Sequence, residues 1–208
     1  MSFSDYFSRQ AANPFGLFGR FVMSRIFNSG NVMLNSMVKD ILSVEPNDHI
    51  LEIGFGTGKL ISELVGRLEN GRIHGIDTSD TMVAMARKNN RKGLADGRVK
   101  LWHGSFEDME GGEGAYDTVI SVNTIYFWTS PGITANKIFQ VLKPGGKLII
   151  GFEDKAQMES KPISKDVFRI YSTEEVKAML FAAGFNREIN IASETWNKLI
   201  YHCAVAVK

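Results

Sequence analysis

Short apolar runs alternate with helix-forming segments from about residue 49 onward, and this alternation constrains the fold of the 208-residue chain more than any other feature. Residues 49–54 (HILEIG) have the pattern of a buried strand, and residues 57–69 then carry apolar side chains at helical spacing. Further strands are predicted at 72–77, 98–104, 116–122 and 147–152. Because helical segments separate these strands, the sequence predicts a parallel sheet with helices on both faces.

The end of the chain departs from this alternation. Residues 172–175 (STEE) resemble a capping box that opens a helix ending at Gly184. Two strand patterns follow, at 187–196 and 198–207, separated by about two residues, Asn197 and its neighbour. Since so short a link cannot hold a crossover helix, these two strands are predicted to pair antiparallel as a hairpin.

Composition narrows the class of protein. A hydrophobic content of 44% and a charged content of 23% are typical of one soluble globular domain. The net charge of +1 gives no electrostatic reason to expect nucleic-acid binding. The single cysteine, Cys203, excludes a disulfide within the chain, and no metal site is predicted. Without a long apolar run or a signal-peptide pattern, the chain is expected to be cytoplasmic, with no stable membrane insertion and with a homodimer left open.

Residues 1–45 stand apart from the predicted domain at 46–208. The segment ANPFGLFGRFVMSRIF places Phe18, Phe21, Val22, Arg25 and Ile26 in one helical neighbourhood. We hypothesise that this segment is a helical lid over the active site, or a surface that meets an apolar substrate or a membrane. The alternative is an extra helix packed on the edge of the sheet.

Three glycines at alternate positions, Gly54, Gly56 and Gly58, directly follow the first predicted strand. A glycine-rich loop at a helix N-terminus attracts anions and polar groups. The spacing is G-x-G-x-G, which differs from the G-x-G-x-x-G dinucleotide fingerprint. Asp77 ends the next strand 23 residues after Gly54, close to the ~20 expected for an acid that binds ribose hydroxyls. The alternative for Asp77 is a helix cap or a solvated acid.

Five segments carry a family resemblance. LEIGFGTG, HGIDTS, HGSFEDM, YDTVISVNTIYFW and KIFQVLKPGGKLII resemble, in order, the successive motifs of class I S-adenosylmethionine-dependent methyltransferases, over about residues 45–205. The resemblance is nearest to the small-molecule branch that includes the ubiquinone and menaquinone methyltransferases. It implies a Rossmann-like three-layer α/β sandwich whose seven-stranded, mostly parallel sheet has an antiparallel last strand. It also implies S-adenosylmethionine as cofactor, S-adenosylhomocysteine as product and a small-molecule methyl acceptor.

The resemblance assigns a set of residues to the cofactor by position. These are Glu52, Gly54, Phe55, Gly56, Thr57, Gly58, Asp77, Thr78, Met82, Gly104, Ser105, Phe106 and Asn123. Ser105 departs from the family pattern, which often has an acid there to accept a hydrogen bond from the adenine amine. A serine accepts that bond without charge assistance, and Glu107 or Asp108 could substitute.

Several substrate classes are disfavoured. Asn123 is not followed by the prolines of amino-methylating nucleic-acid enzymes, and Cys203 is not in the Pro-Cys turn of cytosine C5 enzymes. One cysteine is too few for an arsenite methyltransferase. Asn123 also stands where metal-assisted enzymes need an acidic ligand. A small, apolar or aromatic acceptor remains.

The acceptor is expected to contact Tyr126 and Trp128, which follow the fourth strand beside Phe127. Methyl transfer depends mainly on orientation, so no catalytic residue is predicted. Tyr126, Glu153 and His103 are candidates for a base, and the polar loop at 153–168 is a candidate to close over the site.

Three other functions stay open at this point. A nicotinamide-dependent oxidoreductase is disfavoured by the glycine spacing and the terminal hairpin. A non-catalytic binder of S-adenosylmethionine or S-adenosylhomocysteine would carry the same binding motifs. A protein or RNA methyltransferase is disfavoured only weakly, by the nearly neutral charge.

Overall fold

A seven-stranded sheet forms the centre of the protein, in a computed structural model that describes residues 2–186 and 188–208. The strands are β1 (His49–Ile53), β2 (Arg72–Asp77), β3 (Val99–His103), β4 (Tyr116–Val122), β5 (Leu142–Glu153), β6 (Glu188–Trp196) and β7 (Leu199–Val207). Their order in the sheet is β3-β2-β1-β4-β5-β7-β6. Strands β1 to β5 pair in parallel, and β7 is antiparallel to both β5 and β6. This arrangement confirms the predicted sheet.

Helices lie before and between the strands. They are α1 (Phe3–Ala12), α2 (Gly16–Phe18), α3 (Ser24–Gly30), α4 (Val32–Ile41), α5 (Lys59–Leu64), α6 (Asp80–Asn89), α7 (Arg91–Ala95), α8 (Pro131–Val141), α9 (Lys155–Glu159) and α10 (Thr173–Ala182). A π-helical turn, Gly19–Met23, joins α2 to α3. The predicted capping box is present at α10, where Ser172 and Glu175 cap each other's backbone. The helix expected at 57–69 is shorter, because α5 passes into a 3₁₀ turn at Val65–Arg67.

The sheet separates two apolar cores. Leu51 of β1 packs with Ile138 of α8 and Leu180 of α10 on one face. The adjacent Ile50 packs with Leu60 of α5 on the other face, where α4 also contributes. Consecutive strand residues point to opposite faces, so both sides of β1 are buried, as a parallel central strand requires.

Two turns are specified by backbone conformation. The predicted KPGG turn lies within β5, where pairing with β4 jumps from Tyr116–Leu142 to Thr118–Lys147 and Gly145 has φ +79°. Asn197 and Lys198 have φ of +50° and +67°, the positive values of a type I′ hairpin turn. Arg187, the first residue of the predicted sixth strand, lies outside the described residues.

Within the described ranges, the structure contains no helix long and apolar enough to cross a bilayer. The same ranges contain no group of three or more His, Cys, Asp or Glu side chains placed to hold a metal ion.

Candidate active site

A cavity of about 510 Å³ opens at the carboxyl ends of β1, β2 and β4. Its volume is in the usual range for small-ligand sites, roughly 300–1,000 Å³. The sheet order reverses between β1 and β4, and open α/β sheets bind ligands at such a switch point. Lining residues come from the glycine loop, the ends of β2 to β5, the N-terminal helices and the segment after β5.

The glycine loop after β1 owes its conformation to three positive φ values, +72° at Gly54, +54° at Gly56 and +70° at Gly58. A Cβ at Gly54 would lie 2.3 Å from Cγ2 of Thr124, and one at Gly58 would lie 2.7 Å from Cβ of Ala86. Gly56 instead has room for such a Cβ, whose nearest neighbour would be a ring carbon of Phe27 at 3.8 Å. Gly54 and Gly56 line the cavity, whereas Gly58 is needed for packing between α5 and α6.

Two buried carboxylates adjoin this loop. The Asp77 carboxylate accepts hydrogen bonds from N–H of Gly56 (2.8 Å) and N–H of Ser79 (2.9 Å). Burial raises the pKa of Asp77 to about 6, although these two bonds oppose the shift. Burial, reinforced by the charge of Asp77, raises the pKa of Glu52 to about 8. The buried Oε2 of Glu52 has no hydrogen-bond partner among the described residues, which leaves it free for a cationic or N–H group of a ligand.

Ser105 and Glu107 lie together on the cavity wall after β3. The Ser105 hydroxyl donates to the Glu107 carboxylate, and the Thr134 hydroxyl donates to the same group at 2.6 Å. Burial favours a higher pKa for Glu107, but these hydrogen bonds outweigh it and hold the pKa below its usual value. The pair therefore places an ionised carboxylate on the cavity wall two residues after Ser105.

The N-terminal segment forms a wall of the cavity. Thr57 in the glycine loop donates to Oδ1 of Asn28 at 2.6 Å, and Nδ2 of Asn123 donates to Oδ1 of Asn31 at 2.7 Å. The Ser79 hydroxyl also donates to the carbonyl of Pro14. Three separate hydrogen bonds thus hold residues before β1 against loops that follow β1, β2 and β4.

The end of the cavity beyond β4 is lined by aromatic and aliphatic side chains. They are Tyr126, Phe127, Trp128, Met158, Ile163 and Phe168. The rings of Phe127 and Phe168 meet edge to face with centroids 4.7 Å apart. Glu153 and Lys161 add an ion pair to this otherwise apolar wall, so this half can hold an apolar molecule that carries one polar group.

The three candidates for a base differ in position. The Tyr126 hydroxyl accepts from N–H of Glu153 at 2.7 Å, and burial raises the pKa of Tyr126 strongly, so the phenol stays protonated at neutral pH. The Glu153 carboxylate is paired with Lys161 and accepts from Gln157 at 2.6 Å. His103 is not among the described residues that line the cavity, and its Nε2 lies 3.0 Å from the Thr78 carbonyl oxygen.

Almost all residues singled out in the sequence line this one cavity. They are Glu52, Gly54, Phe55, Gly56, Thr57, Asp77, Thr78, Met82, Gly104, Ser105, Phe106, Asn123, Tyr126 and Trp128. Sequence reasoning missed Asn28, Asn31 and Asn35, which also line it. Their signal was three asparagines within eight residues of an otherwise apolar helical segment. The loop expected at 153–168 contains the short helix α9 and contributes Lys161 and Phe168.

Comparison with known proteins agrees with this geometry. Residues 50–146 match the family model described as a methyltransferase domain. The uncharacterized methyltransferase YdaC of Bacillus subtilis (strain 168) is 32% identical over 184 residues, which cover 88% of this chain and 96% of that protein. The ubiquinone/menaquinone biosynthesis C-methyltransferase UbiE of Proteus mirabilis is 30% identical over 132 residues, 62% of this chain and 49% of that protein.

A solved structure shares the fold. Haemonchus contortus phosphoethanolamine N-methyltransferase 2, in complex with phosphomonomethylethanolamine and S-adenosylhomocysteine, superposes with a TM-score of 0.77 at 18% identity. The match covers 100% of this chain and 61% of that chain. At this identity the likeness is one of fold.

Proposed function

Since the chain belongs to the class I S-adenosylmethionine-dependent methyltransferases, we propose that it methylates a small apolar or aromatic molecule. The observation that carries this proposal is the division of the cavity. One half is built from the glycine loop and two buried carboxylates, and the other half from aromatic side chains. The first half suits the polar cofactor of the family, and the second suits a small acceptor with a ring or an aliphatic body.

The residues present fit the cofactor. We assign the ribose hydroxyls to Asp77, because each carboxylate oxygen keeps a lone pair beyond its backbone bond. We assign the amino group of the methionine part to Glu52, whose Oε2 lacks a partner in the described structure. Thr78, Met82, Phe106 and the Ser105–Glu107 pair would enclose the adenosine. The remaining cofactor assignments are Gly54, Phe55, Gly56, Thr57, Gly58, Gly104 and Asn123, with Gly58 acting through the loop's shape.

S-adenosylmethionine supplies an activated methyl group on a sulfonium, so the protein has to orient the acceptor and exclude water. Orientation alone can be worth roughly 7–11 kcal/mol of the barrier. Tyr126 and Trp128 would hold the acceptor body, and the ion pair of Glu153 with Lys161 would orient its polar group. Tyr126 would line the acceptor site as a neutral hydrogen-bonding group and not act as a base, because its pKa is raised.

Within residues 1–45, the part that precedes α4 would act as the lid of the domain at 46–208, because α4 itself packs in the core. The support is the set of hydrogen bonds from Asn28, Asn31 and Pro14 to loops of the sheet. A lid that must open for the acceptor and close for transfer would give the water-free site that the reaction needs.

Methyl transfer from labelled cofactor into a cell metabolite extract tests the proposal. We expect the label in small products that partition into organic solvent, and a matched Asp77→Ala protein to lose it. Label recovered only in protein or RNA, with none in small molecules, would contradict a small-molecule acceptor.

A further inference from the structure

The N-terminal segment concentrates exposed apolar side chains. Of the twelve large apolar residues exposed in the described structure, seven precede residue 33. We name five of these the N-terminal ridge: Phe15, Leu17, Phe21, Val22 and Ile26. Leu17 and Phe21 are 73% and 64% exposed. Surface patches of this kind mark interaction sites, whereas single exposed apolar residues need no explanation.

The local helix geometry places three side chains of the ridge on one side. Leu17, Phe21 and Ile26 are separated by four and five residues, about one turn of the π-helical segment Gly19–Met23. Gly19 and Met23 themselves are buried against the rest of the protein. The segment is therefore amphipathic, with an inner face that packs and an outer face of apolar side chains that stay exposed among the described residues.

The charge of this segment differs from that of the remaining chain. Residues 6–39 contain Arg9, Arg20, Arg25 and Lys39 and no acidic residue, while the other residues carry three more acids than bases. The three arginines are exposed, and the Arg20 guanidinium lies 5.5 Å from the centroid of the Phe21 ring. Arginines interleaved with exposed Phe and Leu favour an anionic surface that also accepts apolar side chains. A protein partner would instead need acidic side chains at the positions that face these arginines.

The ridge is also continuous with the cavity wall. Ile26 belongs to the ridge and also lines the cavity. The adjacent Phe27, which is outside the ridge, lines the cavity too. From these observations we propose that the N-terminal ridge docks the protein on an anionic lipid bilayer, with the cavity wall toward the membrane. Docking would be peripheral, with Leu17 and Phe21 in the interface and Arg20 and Arg25 at the phosphates. This inference goes beyond the proposed methyl transfer and does not depend on it.

Sedimentation of the full chain with lipid vesicles tests this docking. We expect binding to vesicles of phosphatidylglycerol and phosphatidylcholine, and much weaker binding to phosphatidylcholine alone. The double variant Leu17→Ser/Phe21→Ser should lose roughly tenfold or more in partition coefficient. Arg20→Gln and Arg25→Gln should each lose about fivefold. The matched control Ile133→Ser/Phe181→Ser removes side chains that are 66% and 65% exposed elsewhere and should bind as the original chain does.

Folding of each variant is checked by its thermal transition and by its affinity for S-adenosylhomocysteine, since none of the substituted residues lines the cavity. The proposal is overturned if the original chain sediments with neither vesicle, or if the ridge variant binds as tightly as the control. It is also overturned if light scattering shows a dimer that the ridge variant dissociates, because the ridge would then be covered by a second copy.

Discussion

Two carboxylates beside the glycine loop behave unlike surface acids. Glu52 and Asp77 are both buried, and their pKa values are raised to about 8 and about 6. Asp77 accepts from two backbone N–H donors, whereas one Glu52 oxygen has no donor among the described residues. The difference explains why Glu52 shifts further, since hydrogen bonds to the charged form lower a pKa and desolvation raises it.

Replacing Asp77 with Ala should weaken binding of S-adenosylhomocysteine by about 10- to 100-fold, the loss expected for hydrogen bonds to a charged group at roughly 1.5–3 kcal/mol. Calorimetric titration would measure the affinity. The control is Asp80→Ala, which removes a neighbouring carboxylate that is 89% exposed and should leave the affinity unchanged. A folded Asp77→Ala protein with the original affinity would refute the ribose assignment.

Glu52 makes both stability and binding depend on pH. Its pKa in the folded protein, about 8, exceeds the ordinary value of 4.5, so the native state holds a proton that the unfolded state releases. The free energy of unfolding of the free protein should therefore fall as pH rises between these values, by up to ~1.4 kcal/mol per pH unit.

A ligand ammonium beside Glu52 favours the ionised form, so binding should release a proton below pH 8. Affinity for S-adenosylhomocysteine should rise between pH 6.5 and 8 by at most about tenfold per unit and then level off. Glu52→Gln should flatten this pH profile of affinity. The control Glu63→Gln changes a partly exposed side chain of α5 and should retain the profile. An unchanged slope in Glu52→Gln would assign the pH dependence to another group.

At the scale of elements, hydrogen bonds join the segment before α4 to loops of the sheet, whereas α4 itself packs in the core. Removing two of them with Asn28→Ala/Asn31→Ala should weaken closure by roughly 1–3 kcal/mol, since each bond contributes about 0.5–1.5 kcal/mol net. Amide hydrogen exchange across residues 15–30 should accelerate by about 10- to 100-fold. Ser29→Ala is the control, because in the described structure the Ser29 hydroxyl donates to carbonyls of its own helix. Equal exchange in both variants would mean that other contacts hold the segment.

The β6–β7 hairpin stores backbone strain at Lys198, whose φ is +67°. Lys198→Gly should relieve about 1–2 kcal/mol of left-handed backbone strain in the folded protein. Glycine also gives the unfolded chain more conformational freedom, which lowers the free energy of unfolding by ~0.4–1 kcal/mol. The melting temperature should rise by about 2 °C. Lys198→Ala keeps the strain and should not stabilise. A lower melting temperature for the glycine variant would contradict backbone strain at Lys198.

For the whole molecule, ligand binding and stability are linked. S-adenosylhomocysteine at a hundredfold excess over its Kd should stabilise the native state by about 2.7 kcal/mol. A chain of this length should then melt roughly 5–11 °C higher. Nicotinamide dinucleotides should produce no shift, because the glycine loop lacks their fingerprint. A shift with a nicotinamide dinucleotide and none with S-adenosylhomocysteine would contradict the family assignment.

Much of the sheet and of the cavity lining near the glycine loop was predictable. The apolar runs and the Asn197 turn specify seven strands and the closing hairpin through local patterns, and the structure confirms them. The three glycines were recognisable because they directly follow a predicted strand, and Asp77 because it ends the next one. The sequence did not reveal the cavity-lining asparagines Asn28, Asn31 and Asn35. A polar residue on a helical segment is ordinarily solvated, and a hydrogen-bond partner far away in the chain leaves no pattern in the local sequence.

Local chemistry alone determined where strands, caps and turns occur, and which loop is suited to a nucleotide cofactor. Tertiary structure decided what surrounds that loop. It brought Asn28 to Thr57 and Asn31 to Asn123, and it buried Glu52 until its pKa rose to about 8. It also turned Leu17 and Phe21 outward. The physical reason is that burial and long-range hydrogen bonds depend on packing between segments far apart in the chain, whereas strand, cap and turn preferences depend on neighbours within a few residues.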